Sequence, residues 1–93
     1  MTREEEKQFN MTKFSVKILE VLEEKNATTA ANSMSTTQIL EYLPKNERKS
    51  YSTTYRHLLS MEKQGFIKCG LNEGLASTYF IQESGELFLK SQY

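Results

Sequence analysis

Apolar residues recur at helical spacing in three separate stretches of the first two thirds of the chain. In residues 12–25, Phe14, Ile18, Val21 and Leu22 share one face, while Lys13, Lys17, Glu20, Glu23 and Glu24 face water. A second, shorter stretch opens on Ser35 and Gln38, spaced as a capping box. It buries Ile39, Leu40 and Leu43, and Pro44 ends it. In the third, Thr54, Leu58 and Met61 fall at i, i+4 and i+7, and Tyr51, Tyr55 and Leu59 widen that face toward one side. Ser52, Thr53, Arg56 and His57 are left pointing elsewhere. Gly65 stands where a left-handed residue ends a helix.

After Gly65 the period shortens. Residues 66–69 and 78–81 read as strands, and the stretch between them, GLNEGLAS, reads as a hairpin connection. From Ser84 onward, Leu87, Phe88 and Leu89 give a short final helix with an apolar surface. The remaining segments are polar: NATTAANSM at 26–34 is a loop, and 45–50 is a basic turn. Residues 1–10 are charged, and their Thr2 and Glu5 also have capping-box spacing; a helical turn and a frayed arm both fit. The sequence carries no internal repeat and no low-complexity segment.

Ninety-three residues make one domain with a modest core, for which oligomerisation is a natural supplement. No apolar run approaches a membrane span or a signal-peptide core, so the expected location is intracellular and cytoplasmic, with no membrane partner. The formal net charge is zero, but it is unevenly distributed. Residues 45–68 hold six basic residues and two acidic ones, Glu47 and Glu62, so this segment is +4 and the rest is −4. Such asymmetry points to an anionic partner, with a solvated charged face as the alternative. With a single histidine, His57, and a single cysteine, Cys69, no zinc site of cysteine or histidine spacing can form. There is no glycine-rich phosphate loop and no carboxylate constellation, so neither an enzyme nor a cofactor is expected. Cys69 in a strand reads first as a small buried hydrophobe and second as an intermolecular disulfide.

Three helices, with a tight connection between the second and third, followed by a two-stranded hairpin and a short helix, have the layout of an α+β winged helix-turn-helix. The chain resembles the winged-helix regulators of the MarR and PadR kind. Ser52, Thr53, Arg56, Leu58, Met61, Gly65, Phe66 and Ile67 match a pattern close to S-T-x-x-R-x-L-x-x-L-x-x-x-G followed by two hydrophobics. The stretch from Tyr79 to Gly85, YFIQESG, resembles Y-x-L-T-x-x-G after the wing. In size the chain also resembles winged-helix proteins encoded by viruses of hyperthermophilic archaea, which would place it in a host cytoplasm. Two departures stand out. Gln82 replaces the usual Thr at the start of the last helix, and an acidic tip, Asn72-Glu73-Gly74, replaces a basic wing.

The expectation is a single winged-helix domain over 1–93, with 1–11 as an arm and 84–93 as a dimerisation segment. The third helix, about 51–64, would enter a DNA major groove. Arg56 would reach a guanine edge or a phosphate, unless it is held in an ion pair with Glu62 or Glu47. Ser50, Ser52 and Thr53 would offer phosphate the helix N-terminus, although at least one of them must be a plain N-cap. Tyr51 and Tyr55 would touch phosphates or thymine methyls, with at least one of the two in the core. Lys45, Arg48, Lys49 and Lys68 would contact the backbone without reading sequence. His57 would be a solvent-facing bystander.

Phe9, Phe14, Leu87, Phe88 and Tyr93 would pair two copies across a two-fold axis, so that a sequence-specific transcriptional regulator reads a pseudo-palindromic duplex. A Cys69–Cys69 link across that dimer is a secondary expectation. Only eight residues follow Gly85, so no effector pocket is expected. The competing readings are a protein-interaction module that binds no DNA, and structural DNA binding without sequence choice.

Overall fold

The computed structural model describes residues 13–71 and 77–92. The arm at 1–11 with its Thr2/Glu5 box and Phe9, the wing tip with Glu73, and Tyr93 lie outside them. The elements are α1 (Lys13–Glu24), β1 (Met34–Ser35), α2 (Thr36–Tyr42), α3 (Tyr51–Lys63), β2 (Ile67–Cys69), β3 (Thr78–Ile81) and α4 (Glu83–Lys90), with 3-10 turns at Ala30–Asn32 and Lys45–Glu47. This is a winged helix, with α2 and α3 as the helix-turn-helix and β2–β3 as the wing.

The sheet has three strands in the order β1-β3-β2, all antiparallel, where the sequence reads as a two-stranded hairpin. The extra strand is Met34–Ser35, pairing Met34 with Tyr79 and Ser35 with Thr78. At two residues it is too short to show alternation, and it sits at the end of a polar loop. That loop is anchored by Ala27, which is fully buried and whose carbonyl accepts from Ile81 N at 2.8 Å.

Both long helices stop in the same way. At α1, Asn26 takes φ 59°, Ala27 N donates to Leu22 O, and Asn26 N donates to Glu23 O. At α3, Gly65 takes φ 86°, Phe66 N donates to Met61 O, and Gly65 N donates to Glu62 O. These are Schellman closures, in which a left-handed residue lets the chain satisfy the last carbonyls. Helix α2 opens as its sequence predicts: Gln38 N donates to Ser35 Oγ at 3.2 Å, and Ser35 N donates to Gln38 Oε1 at 2.9 Å.

The core lies where α1, α2 and α3 meet the inner face of the sheet. Ile18, Leu22, Ile39, Leu58, Met61, Ile67 and Tyr79 are all essentially solvent-free. Leu19 and Ser15 are buried on α1 as well, widening its inner face beyond the stripe legible in the sequence. Phe14, expected on a dimer surface, is buried in this core instead; Phe88, expected there too, is half-buried and packs on Phe66 with ring centroids 5.4 Å apart. Helix α4 starts at Gln82 without a side-chain cap, in keeping with the missing Thr. It is pinned to the α3–β2 junction, where Ser84 Oγ donates to Gly65 O at 2.5 Å and Gln82 N donates to Phe66 O at 2.8 Å. Gly85 lies so close to Phe66 O that no Cβ fits there. Among the described residues, no helix is long and apolar enough to cross a membrane.

Candidate nucleic-acid interface

The position of α3 follows from its buried stripe. Thr54, Leu58 and Met61 are fully buried, and Thr54 Oγ1 donates to Ser50 O at 2.8 Å, so even its hydroxyl is satisfied. The helix has 3.6 residues per turn, so the residues opposite that stripe are Ser52, Arg56, Leu59 and Lys63. Ser52, Arg56 and Lys63 are exposed, and Leu59 is half-buried. Ser50 is the N-cap: its Oγ accepts from Thr53 N at 3.1 Å and donates to Thr53 Oγ1 at 3.0 Å. Ser50 and Thr53 therefore serve the cap, and Ser52 is left facing outward.

Arg56 has no ion-pair partner among the described residues, and Glu47 is engaged elsewhere, 3.9 Å from Lys17. The alternative use of Arg56 in a pair with Glu62 or Glu47 is thus not made. A shallow groove lined by Thr53, Arg56, His57 and Ser60 runs beside it.

Four expectations are corrected. Neither Tyr51 nor Tyr55 is in the core: they are 52% and 36% exposed and stack on each other at 6.4 Å, nearly parallel. They lie one turn apart on one flank of α3. Arg48 is structural: its Nε and NH2 groups donate to Leu43 O and Glu41 O, each at 2.9 Å, capping the end of α2. His57 is no bystander, since its ring meets Phe14 edge-on at 5.0 Å and its Nδ1 lies 3.4 Å from Ser15 Oγ. Cys69 is exposed at the end of β2 rather than buried.

The remaining predicted cations divide. Lys45 is exposed in the turn, and Lys49 stands 5.3 Å over the Phe14 ring, beside the start of α3. Lys68 pairs with Phe80, whereas Ile67 and Cys69 pair with the inward Ile81 and Tyr79. Strand alternation therefore puts Lys68 on the outer face of the wing, apart from the outward stripe of α3. Sequence reasoning missed Lys13 and Lys17, which flank the same turn. They lie about thirty residues upstream of the basic segment, so no local charge window finds them.

The titratable groups differ across α3. Burial, and then the Lys49 ammonium, hold the His57 imidazole below its ordinary 6.5. On the other flank, burial, followed by Cys69, Tyr55 and Glu62, pushes the Tyr79 phenol up to about 12. Partial burial, followed by a hydrogen bond and charge from Glu62, raises the Cys69 thiol. That disfavours the thiolate, the species that exchanges with disulfides. Among the described residues, no group of three or more His, Cys, Asp or Glu is placed to hold a metal.

No family profile and no curated protein matches the sequence, so the MarR and PadR resemblance finds no support at the level of family. Two solved structures share the fold. TubR from Bacillus megaterium superposes with a TM-score of 0.74 at 20% identity, over 95% of this chain and 92% of that one. The solution structure described as the DNA-binding TubR fragment from Clostridium botulinum gives 0.65 at 27% identity, over 91% and 98%.

Proposed function

We propose that this chain binds double-stranded DNA as a homodimeric, sequence-specific transcriptional regulator working inside the cell, with α3 in the major groove. One observation carries the reading. The outward stripe of α3 presents Ser52, Arg56 and Lys63 with no carboxylate among them, and Arg56 is unengaged within the described fold. A groove-sized helix presenting a guanidinium and hydroxyls is matched to base edges and phosphates. The DNA-binding fragment from C. botulinum, of nearly the same length and fold, supports the same assignment.

Each residue then has a role. Arg56 contacts a guanine edge or a phosphate, Ser52 and the N-terminus of α3 meet a phosphate, and Lys45, Lys49 and Lys68 hold the backbone. Tyr51 and Tyr55, stacked and exposed, contribute apolar surface toward thymine methyls on the wing side. Arg48 acts indirectly, by fixing the turn between α2 and α3.

The dimer uses α4 and the 84–93 segment. With Phe14 buried and Phe88 half-buried against Phe66, the exposed Leu87 is the most accessible described apolar residue there. Two α3 helices then read half-sites about one helical turn apart. An interchain Cys69 disulfide is the least supported element, and non-reducing electrophoresis of unreduced protein decides it. Fluorescence anisotropy against duplex DNA tests the whole: binding at low salt, weakening steeply as salt rises, is expected. No binding at low salt favours a protein-interaction module. Equal affinity for specific and random duplexes favours binding without sequence choice.

A further inference from the structure

Beside α3, on the flank away from the wing, α1 and the turn at Lys45–Glu47 enclose an open cleft of about 270 Å³ lined by Lys13, Phe14, Lys17, Glu47 and Lys49, among others. Its cations outnumber its single carboxylate, and that carboxylate is poorly placed. Among the described residues, Glu47 Oε1 has no hydrogen-bond partner, and it is out of contact with solvent. Its nearest cation, Lys17 Nζ, is 3.9 Å away and is shared with Glu20 at 3.7 Å. These separations are too long for good charge-assisted hydrogen bonds, which run near 2.8 Å. The Lys17 ammonium is 43% exposed and held by neither carboxylate at short range, so it is accessible to another anion.

The cleft is also continuous with the proposed reading surface. Phe14 forms its floor and meets His57 of α3 edge-on at 5.0 Å, while Lys49 lies over the same ring at 5.3 Å. Lys49 is therefore held against the junction of the two surfaces.

We infer that this cleft seats the sugar-phosphate backbone of the same duplex whose groove α3 enters, with Lys13, Lys17 and Lys49 neutralising phosphates on the α1 side. The inference rests on the proposed duplex binding and extends it: the footprint runs from α3 toward α1 rather than only toward the wing. Charge complementarity and continuity with the α3 surface select this occupant. Glu47 becomes a competitor that the phosphate displaces from Lys17, so this carboxylate tempers affinity.

The experiment is a salt series of anisotropy titrations on the full chain, using specific and random duplexes. It compares wild type, Lys17→Gln, Lys13→Gln/Lys17→Gln, Glu47→Gln, and Lys25→Gln, a control charge-matched to Lys17→Gln. The control removes a lysine just past the end of α1, outside the cleft lining, whose Nζ lies 4.2 Å from the centre of the Tyr42 ring. Circular dichroism confirms that each variant is folded. The log–log salt slope of the Lys13/Lys17 variant should shrink by about 2, close to one for each phosphate no longer neutralised, and to the same extent on both duplexes. Glu47→Gln should tighten binding, and the control should keep the wild-type slope. An unchanged slope in the Lys13/Lys17 variant, or a drop in the control equal to that of Lys17→Gln, overturns the cleft assignment while leaving duplex binding intact. Absence of wild-type binding at low salt overturns the proposed function, and this inference with it.

Discussion

The two flanks of α3 are built from one helix but face opposite chemistry. Toward α1, His57 meets Phe14 and Ser15, the Lys49 ammonium lies over the same Phe14 ring, and the titratable group there is a base held neutral. Toward the wing, Tyr55 and Glu62 neighbour Tyr79, Glu62 also neighbours Cys69, and the Tyr79 phenol and Cys69 thiol are acids held neutral. One flank gathers positive charge and the other gathers a carboxylate and phenols. Under the proposed reading a polyanion would be accepted asymmetrically, on the stripe of Arg56 and Lys63 and on the α1 side, and the two flanks limit stability at opposite ends of the pH range.

The largest effect comes from removing what the two flanks share. Leu58 is fully buried between them. Leu58→Ala should cost about 3 kcal/mol, as buried Leu truncations do, seen as a lower midpoint in urea unfolding. A loss under about 1 kcal/mol would mean that α3 is not seated as described, and the flank comparison would lose its frame.

The wing-side flank should fail in alkali. An acid whose folded pKa is raised contributes stability that disappears as pH climbs past its unfolded value. The Tyr79 phenol, at about 12 against an ordinary 10, should destabilise the fold progressively above pH 10. Tyr79→Phe should remove that part of the alkaline decline, measured by thermal unfolding across pH.

The α1-side flank should fail in acid. His57 has a folded pKa below 6.5, so the unfolded chain takes up the proton first, and stability falls as pH drops below 6.5 toward the folded value. His57→Gln should flatten this limb and leave the alkaline one unchanged. If one substitution alters both limbs, the flanks are not independent.

The smallest effect sharpens the electrostatic contrast. Glu62→Gln removes the wing-side carboxylate beside Cys69 and should strengthen DNA binding by about 0.5 kcal/mol or less, the scale of an exposed charge interaction. It should also lower the Cys69 pKa, read from the pH dependence of thiol alkylation.

What the sequence revealed, and what it hid, follow the same division. The buried stripe of Thr54, Leu58 and Met61, the Gly65 stop and the Ser35/Gln38 box were legible because each is a local pattern with a fixed period or offset. Arg56 on the outward face follows from the same period. Two hidden features are made by distant residues. Strand β1 exists because Thr78 and Tyr79 pair with it. His57 is held by Phe14 and Ser15, more than forty residues upstream. Arg48 caps a helix end that its own neighbourhood does not announce. Tyr51 and Tyr55 misled because an aromatic one turn from a buried stripe reads as core, whereas here the pair stacks on itself in solvent. Phe14 misled in the opposite sense: a residue near the start of α1 is buried through its contact with His57, which the local pattern does not show.

The most direct measurement is the salt dependence of duplex binding for wild type and Arg56→Ala, by anisotropy on protein whose unfolding midpoint is checked in parallel. The account predicts tight binding at low salt and a steep slope for wild type. For Arg56→Ala it predicts a loss of about 1–3 kcal/mol in binding with unchanged stability. An Arg56→Ala protein with wild-type affinity and salt slope would contradict it.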